Sequence, residues 1–266
     1  MAPRRDLTLR YDADLTRLAP ELRCAFVELD ADDSTRAWID AAYARPVSRA
    51  RAGLRDLALT MVNIFDADAW THLGQDRVLS TAQWRRLLVT GGARLLDVGA
   101  GSGEVTQELA PLFSEVVTTE LSAPVARRLR SKGFTCHRRD IAFEPLDDPG
   151  GFDVVALQNV IDRTTHPLRL LDRAHRLLAE GGRVIVTVPV PLRPVVFIGR
   201  SRFAPAENLP AGLPDFESSA SALCERVFHP QGYRVQSLSC APYLSRGTAR
   251  APVAVLDDAI FVLLRR

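Results

Sequence analysis

The 266-residue sequence predicts an α/β fold, a mostly parallel, Rossmann-like sheet of seven strands behind a layer of helices. Three observations carry this reading. An apolar run from Arg94 to Val98 leads directly into glycines at positions 99, 101 and 103, the pattern of a buried strand turning tightly into a helix that starts near Glu104. From Ala93 onward, strand-like and helix-like segments alternate, which implies parallel βαβ units. Before residue 90 no strand-type alternation occurs, and the apolar spacing is helical.

Taken in order, residues 1–90 read as helices over Asp14 to Leu29, Ser34 to Tyr43, Ser48 to Phe65 and Thr81 to Val89. Pro46 separates the second from the third, and Ser80 with Gln83 three residues on forms a capping box for the last. This front third has too little core to stand alone, so it is expected to be a helical lid on a catalytic domain spanning 91–266. There, strand one ends at Val98 and a helix runs from Glu104 to Leu112. Strand two is Glu115 to Thr119, with a helix from Ala123 to Ser131 after it. Strand three is Thr135 to Arg138, and strand four is Phe152 to Leu157. The helix that follows is bounded by Pro167 at its start and Gly181-Gly182 past its end. Strand five is Arg183 to Val188. Beyond a proline-rich loop through Pro189, Pro191 and Pro194 come a helix over Ser218 to Phe228 and strands over Tyr233 to Leu238 and Ala254 to Leu264. The last is expected to run antiparallel.

The glycine spacing selects the ligand. A pyrophosphate-binding turn is G-x-G-x-x-G, whereas this one is G-x-G-x-G with Asp97 two residues before the first glycine. A carboxylate so placed repels a pyrophosphate and attracts a cation. S-adenosylmethionine (SAM) carries an ammonium and a sulfonium and no phosphate, so Asp97, Gly99, Ala100, Gly101 and Gly103 are its expected turn. Glu120, at the end of strand two, stands about twenty residues on, where a ribose-hydroxyl ligand belongs. Together these make the sheet that of a class I SAM-dependent methyltransferase. Since ligands of an open α/β sheet lie outside the carboxyl ends of its strands, Asp140 after strand three is a candidate for the adenine amino group. Asn159 and Asp162 follow strand four.

Composition excludes other classes. With 34 basic and 32 acidic residues the chain has no nucleic-acid charge balance, and no basic stripe interleaves with aromatics. No 18-residue apolar run is present, and the start Met1-Ala2-Pro3-Arg4-Arg5-Asp6 lacks a signal-type apolar region, so no membrane association and a cytoplasmic address are expected. Cys24, Cys136, Cys224 and Cys240 show no C-x-x-C spacing and no histidine pair, so they read as reduced buried thiols, and no metal is expected. His72, His137, His166, His175 and His229 read as structural or surface residues, with contact between His137 and adenine as a lesser alternative. Trp38, Trp70 and Trp84 read as core. A monomer is expected.

Larger blocks carry a more specific likeness. Leu95 to Thr106, Thr119-Glu120-Leu121-Ser122, Asn159-Val160-Ile161-Asp162-Arg163, Pro242-Tyr243-Leu244 and Val255 to Leu263 keep an order and spacing that resembles the DREV methyltransferase family from about Tyr11 to the C-terminus. The resemblance implies a protein-histidine methyltransferase acting on the pros nitrogen (Nδ1) in His-x-His segments of a protein or peptide. It also implies that Asp97, Gly99, Glu120, Asn159 and Tyr243 face the cofactor and that Asp162, with Asn159, meets the acceptor histidine. Residues 248–254 depart from it: Ala254 stands where relatives have an aromatic hydroxyl near the acceptor. Asp257 and Asp258 either line the site or mark the turn into the last strand. Methylation of a small molecule or of a natural-product precursor peptide, and a SAM-binding regulatory protein without turnover, stand as alternatives.

Overall fold

Prolines and caps set the front third. In the computed structural model, which describes residues 7–265 except 72, 74, 89, 90, 147, 150, 200 and 249, a 3-10 turn over Leu15–Arg17 is capped by Asp14. The expectations placed on Met1 to Asp6, His72, Val89 and Ala249 lie outside the described residues. Helix α1 spans only Pro20–Ala25, because Ala19 is held extended (ψ 145°) before the proline that opens it. The helix expected from Asp14 to Leu29 is therefore broken at both ends, and past it the Val27 N–H donates to the Leu238 carbonyl at 2.8 Å. Helix α2 is Asp33–Ala44, capped by the Asp32 side chain. The single helix expected from Ser48 to Phe65 is two, α3 over Arg49–Ala58 and α4 over Ile64–Thr71. Between them Asn63 acts as a new cap, accepting from the Asp66 N–H at 3.0 Å.

Two residues of the front third join the sheet, contrary to the all-helical expectation: β1 is Asp76–Arg77, paired antiparallel with a C-terminal strand. Helix α5, Thr81–Leu88, starts with the expected capping box. The Gln83 N–H donates to Ser80 Oγ at 3.1 Å, and the Ser80 N–H donates to Gln83 Oε1 at 2.8 Å.

From here the alternation expected from sequence holds. The order is β2 Gly92–Val98, α6 Glu104–Leu109 with a 3-10 turn Ala110–Leu112, β3 Phe113–Thr119, α7 Ala123–Ser131, β4 Thr135–His137, β5 Phe152–Gln158 and α8 Pro167–Leu177. Then come β6 Leu178–Val190, a small hairpin of β7 Val196–Ile198 and β8 Ser201–Phe203 inside the proline-rich loop, and α9 Phe216–Leu223 continuing into a π-helical turn Cys224–Phe228. Strands β9 Tyr233–Thr248 and β10 Ala251–Arg265 are both far longer than their apolar cores suggest.

The sheet order is β1-β9-β10-β6-β5-β2-β3-β4, eight strands in place of seven, the extra one being β1 on the edge. Strand β10 lies antiparallel between β6 and β9, as expected of the last strand. Helices α8 and α9, with Leu18 and Leu22 of the front third, bury one face of the sheet against Val186, Leu157 and Phe261. Trp84, Leu87 and Leu88 of α5 and Leu109 of α6 bury the other against Leu95, Ile185 and Ile260. Trp70 departs from the core expectation, 49% exposed on α4, and Cys24 is exposed on α1 while the other three thiols are buried.

One feature positions the site. Strand β6 stops opposite Asp257, but β9 and β10 go on pairing up to Thr248 and Ala251, so their hairpin stands beyond the carboxyl edge of the parallel strands as an arm. One arm face packs Leu244 and Val253 on Ile39 and Ala42 of α2. The other carries Tyr243, Ser245, Ala254 and Leu256, since residues opposite each other in a ladder share a face.

The capping box also fixes a long-range contact, because Ser80 Oγ donates to Asp32, the cap of α2. Ser80→Ala should lower unfolding stability by about 1–2 kcal/mol, read from the urea midpoint, with an unchanged m-value.

Candidate active site

The glycine turn after β2 is built from left-handed backbone: φ is +64° at Gly99, +54° at Gly101 and +80° at Gly103. At Gly103, which caps α6, an added Cβ would meet Leu129 at 2.8 Å, and at Gly99 it would meet Val160 at 3.0 Å. At Gly101 it would meet nothing within 4 Å. The middle glycine therefore faces open space, and its neighbours are packed against protein. The Ala100 N–H donates to the Thr119 carbonyl at 3.1 Å, tying the turn to β3.

Glu120, at the end of β3, closes the other side. Its carboxylate accepts from the N–H groups of Gly101 (3.1 Å), Leu121 (2.7 Å) and Ser122 (3.1 Å). Burial raises its pKa against the pull of those three donors. Asp97 sits below the turn, 1% exposed. Its Oδ2 accepts from Thr106 Oγ1 at 2.6 Å and from Gln158 Nε2 at 3.2 Å, while Oδ1 has no partner. Burial lifts this carboxyl to about 6, with Thr106 and Gln158 opposing. Helix α4 reaches the same rim, since Ser122 Oγ, the cap of α7, donates to Asp66.

The loop after β5 supplies a second group of acids. Asn159 is the described non-glycine residue held at positive φ, +55°. Its N–H donates to Thr187 O at 3.0 Å, and its Oδ1 accepts from Thr187 Oγ1 at 2.9 Å, so the strained residue is locked to β6. Its amide lies beside Asp258. Asp162 is 1% exposed, with Oδ2 at 3.1 Å from Arg163 Nε and Oδ1 unpartnered. Burial lifts it to about 6 despite the Arg163 charge. Asp258 is fully buried with the Asn159 amide beside it, and burial drives its pKa far up, against the pull of Asn159 and helped by the like charges of Asp162, Asp257 and Asp76. The Tyr243 hydroxyl, on the arm, lies beside Asp76 of β1, as does Ser245, the residue opposite Asp76 in the ladder; burial raises the Asp76 pKa against the pull of both.

The sequence profile of the DREV methyltransferases matches residues 11–265. The chain belongs to that family. Among curated proteins it is 38% identical over 96 residues to a ubiquinone biosynthesis O-methyltransferase of Ruegeria pomeroyi, covering 34% of this chain and 39% of that one. It is 30% identical over 129 residues to a demethylmenaquinone methyltransferase of Clavibacter sepedonicus, covering 45% and 52%. The chain thus matches only about two-fifths to one-half of the length of these relatives. A solved structure concerned with conversion of a disulfide bond into a thioacetal group during echinomycin biosynthesis shares the fold, with TM-score 0.51, 15% identity and coverage of 71% of this chain and 81% of that one.

SAM is the methyl donor of a DREV methyltransferase, and the residues present fit it. A cation answers the unpartnered Asp97 oxygen, and the open space at Gly101 admits a ligand close to backbone. Of the residues picked out from sequence, Asp97, Gly99, Ala100, Gly101, Gly103 and Glu120 come together around one turn, and Asn159, Asp162 and Tyr243 gather about Asp258. Asp140 follows β4, where its Oδ1 accepts from the Ala142 N–H at 3.0 Å and opens a turn. The His137 backbone carbonyl accepts from the Glu120 N–H.

Ala254 is exposed on the arm opposite Ser245, in the row that includes Asp76, so the missing aromatic leaves that stretch of wall bare. Asp258 lines the site from within β10 and does not mark a turn, while Asp257 points to the other face, 3.8 Å from Arg10. Asp76 and the buried Gln158 and Thr187 contacts escaped the sequence reading. A charged residue inside the apolar run Val255 to Leu264 was the available signal for Asp258; a two-residue edge strand gave none for Asp76.

Two outcomes follow. Gly101→Ala should weaken SAM binding by at least about tenfold in calorimetry and lower the melting temperature through left-handed strain alone, while Gly103→Ala, which adds the clash with Leu129, should lower the melting temperature further. Asp97 and Asp162 are raised from 3.8 to about 6, so in the unliganded protein protonation favours the folded state below about pH 4, and this contribution is lost as pH rises through about 6. A cationic ligand prefers the ionised form of Asp97, so SAM should bind about tenfold tighter at pH 7 than at pH 5.

Proposed function

We propose that this chain methylates the pros nitrogen (Nδ1) of histidine in a protein or peptide, in His-x-His segments, as the family resemblance implies. The observation that carries this reading is Asp162: a buried carboxylate with one oxygen paired to Arg163 and the other unpartnered, at the carboxyl edge of the sheet, beside the glycine turn.

Bound SAM supplies an electrophilic methyl group on a sulfonium. The chain's own residues have to present a neutral imidazole to it in one orientation and one tautomer. Imidazole attacks through the nitrogen that carries no proton, and a hydrogen bond at the other nitrogen decides which that is. The free Asp162 Oδ1 accepts Nε2–H, which leaves the lone pair on Nδ1. The same carboxylate stabilises the positive charge that grows on the ring as Nδ1 is alkylated. Asn159, fixed to Thr187, holds the wall between the two groups of acids. Asp258 lies beside the Asn159 amide, and burial keeps it in its neutral form. The Tyr243–Asp76 pair lines the arm above them. The site residues of the turn, with Asp140 toward adenine, hold the cofactor in the same proposal.

The resident open wall at Ala254 favours an extended peptide over a small molecule enclosed on all sides. Incubation of His-x-His peptides with the protein and SAM, read by fragment mass spectra and by chromatography against methylhistidine standards, should give the pros isomer. Asp162→Ala should lower the rate by about 10²-fold or more with SAM binding retained. At saturating SAM, log(kcat/KM) should rise with pH below 6 with a slope near two in the wild type, from the acceptor imidazole and Asp162, and near one in Asp162→Asn. No transfer to peptides, with turnover of a phenolic small molecule, would remove the histidine assignment.

A further inference from the structure

Away from the methyl-transfer site, three unlike donors converge at the join between the front third and the sheet. Glu21 lies in α1, and Cys224 and His229 flank the π-helical turn after α9. The His229 N–H donates to the Cys224 carbonyl at 3.0 Å, a bond five residues long, and this wider turn stacks the two side chains as an ordinary helical turn would not. Cys224 Sγ is 3.1 Å from Glu21 Oε1, and His229 Nε2 is 3.4 Å from that sulfur. The same Nε2 is 2.8 Å from Glu21 Oε1 and 3.0 Å from Oε2.

A hydrogen-bonded relay would use both ring nitrogens of His229, one toward the thiol and one toward the carboxylate. Here the thiol itself donates to Glu21 Oε1, and thiol and carboxylate both crowd one ring nitrogen, Nε2, so the three donor atoms converge on one point instead of forming a chain through the ring. One central cation satisfies all three at once. For Zn–S of about 2.3 Å and Zn–N or Zn–O of about 2.0–2.1 Å, the edges of a tetrahedron are roughly 3.3–3.6 Å; the S–N separation of 3.4 Å matches, and the S–O (3.1 Å) and N–O (2.8 Å) separations need to open by about half an ångström as the ion enters.

We infer that Glu21, Cys224 and His229 form a mononuclear Zn²⁺ site whose fourth ligand is water, admitted where the Glu21 side chain is 40% and the His229 side chain 25% exposed. Thiolate, imidazole and carboxylate together suit Zn²⁺, whereas Mg²⁺ and Ca²⁺ prefer all-oxygen sites. Binding forms a metal–sulfur bond as the Cys224 thiol gives its proton to solvent, so affinity rises with pH. The ion would clamp α1 to the α9 turn across 203 residues of sequence, which is why Cys and His spacing gave no metal expectation.

Metal-free full-length chain titrated with Co²⁺, as a spectroscopic stand-in, should take up one equivalent and develop thiolate-to-cobalt charge-transfer absorption with tetrahedral d–d bands. Zn²⁺ should displace it and raise the melting temperature. His229→Gln and Glu21→Gln, both at the surface, should keep the far-ultraviolet circular dichroism of the wild type. Each should weaken Zn²⁺ binding by more than the ~10–100-fold that loss of an outer-shell partner gives. Cys224→Ser should abolish the charge-transfer absorption, and Cys24→Ser, one turn from Glu21 on α1, should retain it. No uptake by the folded wild type, unchanged affinity in both surface variants, or absorption lost in Cys24→Ser would overturn the site.

Discussion

The organising constraint of this protein is negative charge held where water is scarce. Asp97, Glu120, Asp162, Asp258 and Asp76 all have raised pKa values, and burial is the first cause for each. A carboxylate in such surroundings is unfavourable unless it is paired, and an isolated one tends to keep its proton. Arg163 pairs one oxygen of Asp162, backbone N–H groups serve Glu120 and the Asn159 amide lies beside Asp258, but one oxygen each of Asp97 and Asp162 has no partner. An arrangement of this kind is tolerable only if the surrounding strands fix the acids in place. The ladders through β2, β5 and β6 and the apolar layers on both faces provide that rigidity. What binds must bring positive charge, and a sulfonium-bearing cofactor does.

Much of this was legible in the sequence because it is local. The strand and the glycines after it follow one another directly, and Glu120 is one βα unit away. The capping box of Ser80 and Gln83 and the limits of α7 are likewise written in adjacent residues. What could not be read depends on pairing between distant segments. Asp76 belongs to a two-residue strand whose existence comes only from β9, and two residues have no periodicity to detect. For Asp258 the sequence left two readings open, lining the site or marking a turn, and its place inside a strand follows from where β10 lies in the sheet. The break in the Ser48 to Phe65 helix came from a competition that propensity decides poorly, between continuing the helix and recapping it at Asn63. Trp70 was misread because an aromatic at helical spacing shows which face it shares and not whether anything covers that face.

The front third is tied to the sheet at scattered points. Arg77, 5% exposed, bonds Glu108 Oε1 at 2.7 Å and Ser34 Oγ at 2.7 Å, linking β1 to α6 and α2. Glu217 of α9 accepts from Arg10 at 2.7 Å and from the Asp14 N–H at 2.8 Å. These contacts place Tyr11 and Leu29 inside the same core as Trp84 and Ile260. The helical layer and the sheet therefore share buried surface, and the rim formed by α4 and the arm is set by that shared packing.

The place of β10 in the sheet has a consequence for how the protein comes into being. The last of the described strands in sequence order occupies an interior position, hydrogen-bonded to β6 on one side and β9 on the other. Until it arrives, both of those strands present open edges, the kind of surface that invites pairing with another chain. Asp258 arrives with it, whereas Asp162 and Asp76, which it joins, stand on earlier segments. Strand β10 is thus the piece through which β1 and β9 are joined to the parallel strands, and the acids on either side of it come together only when it is in place.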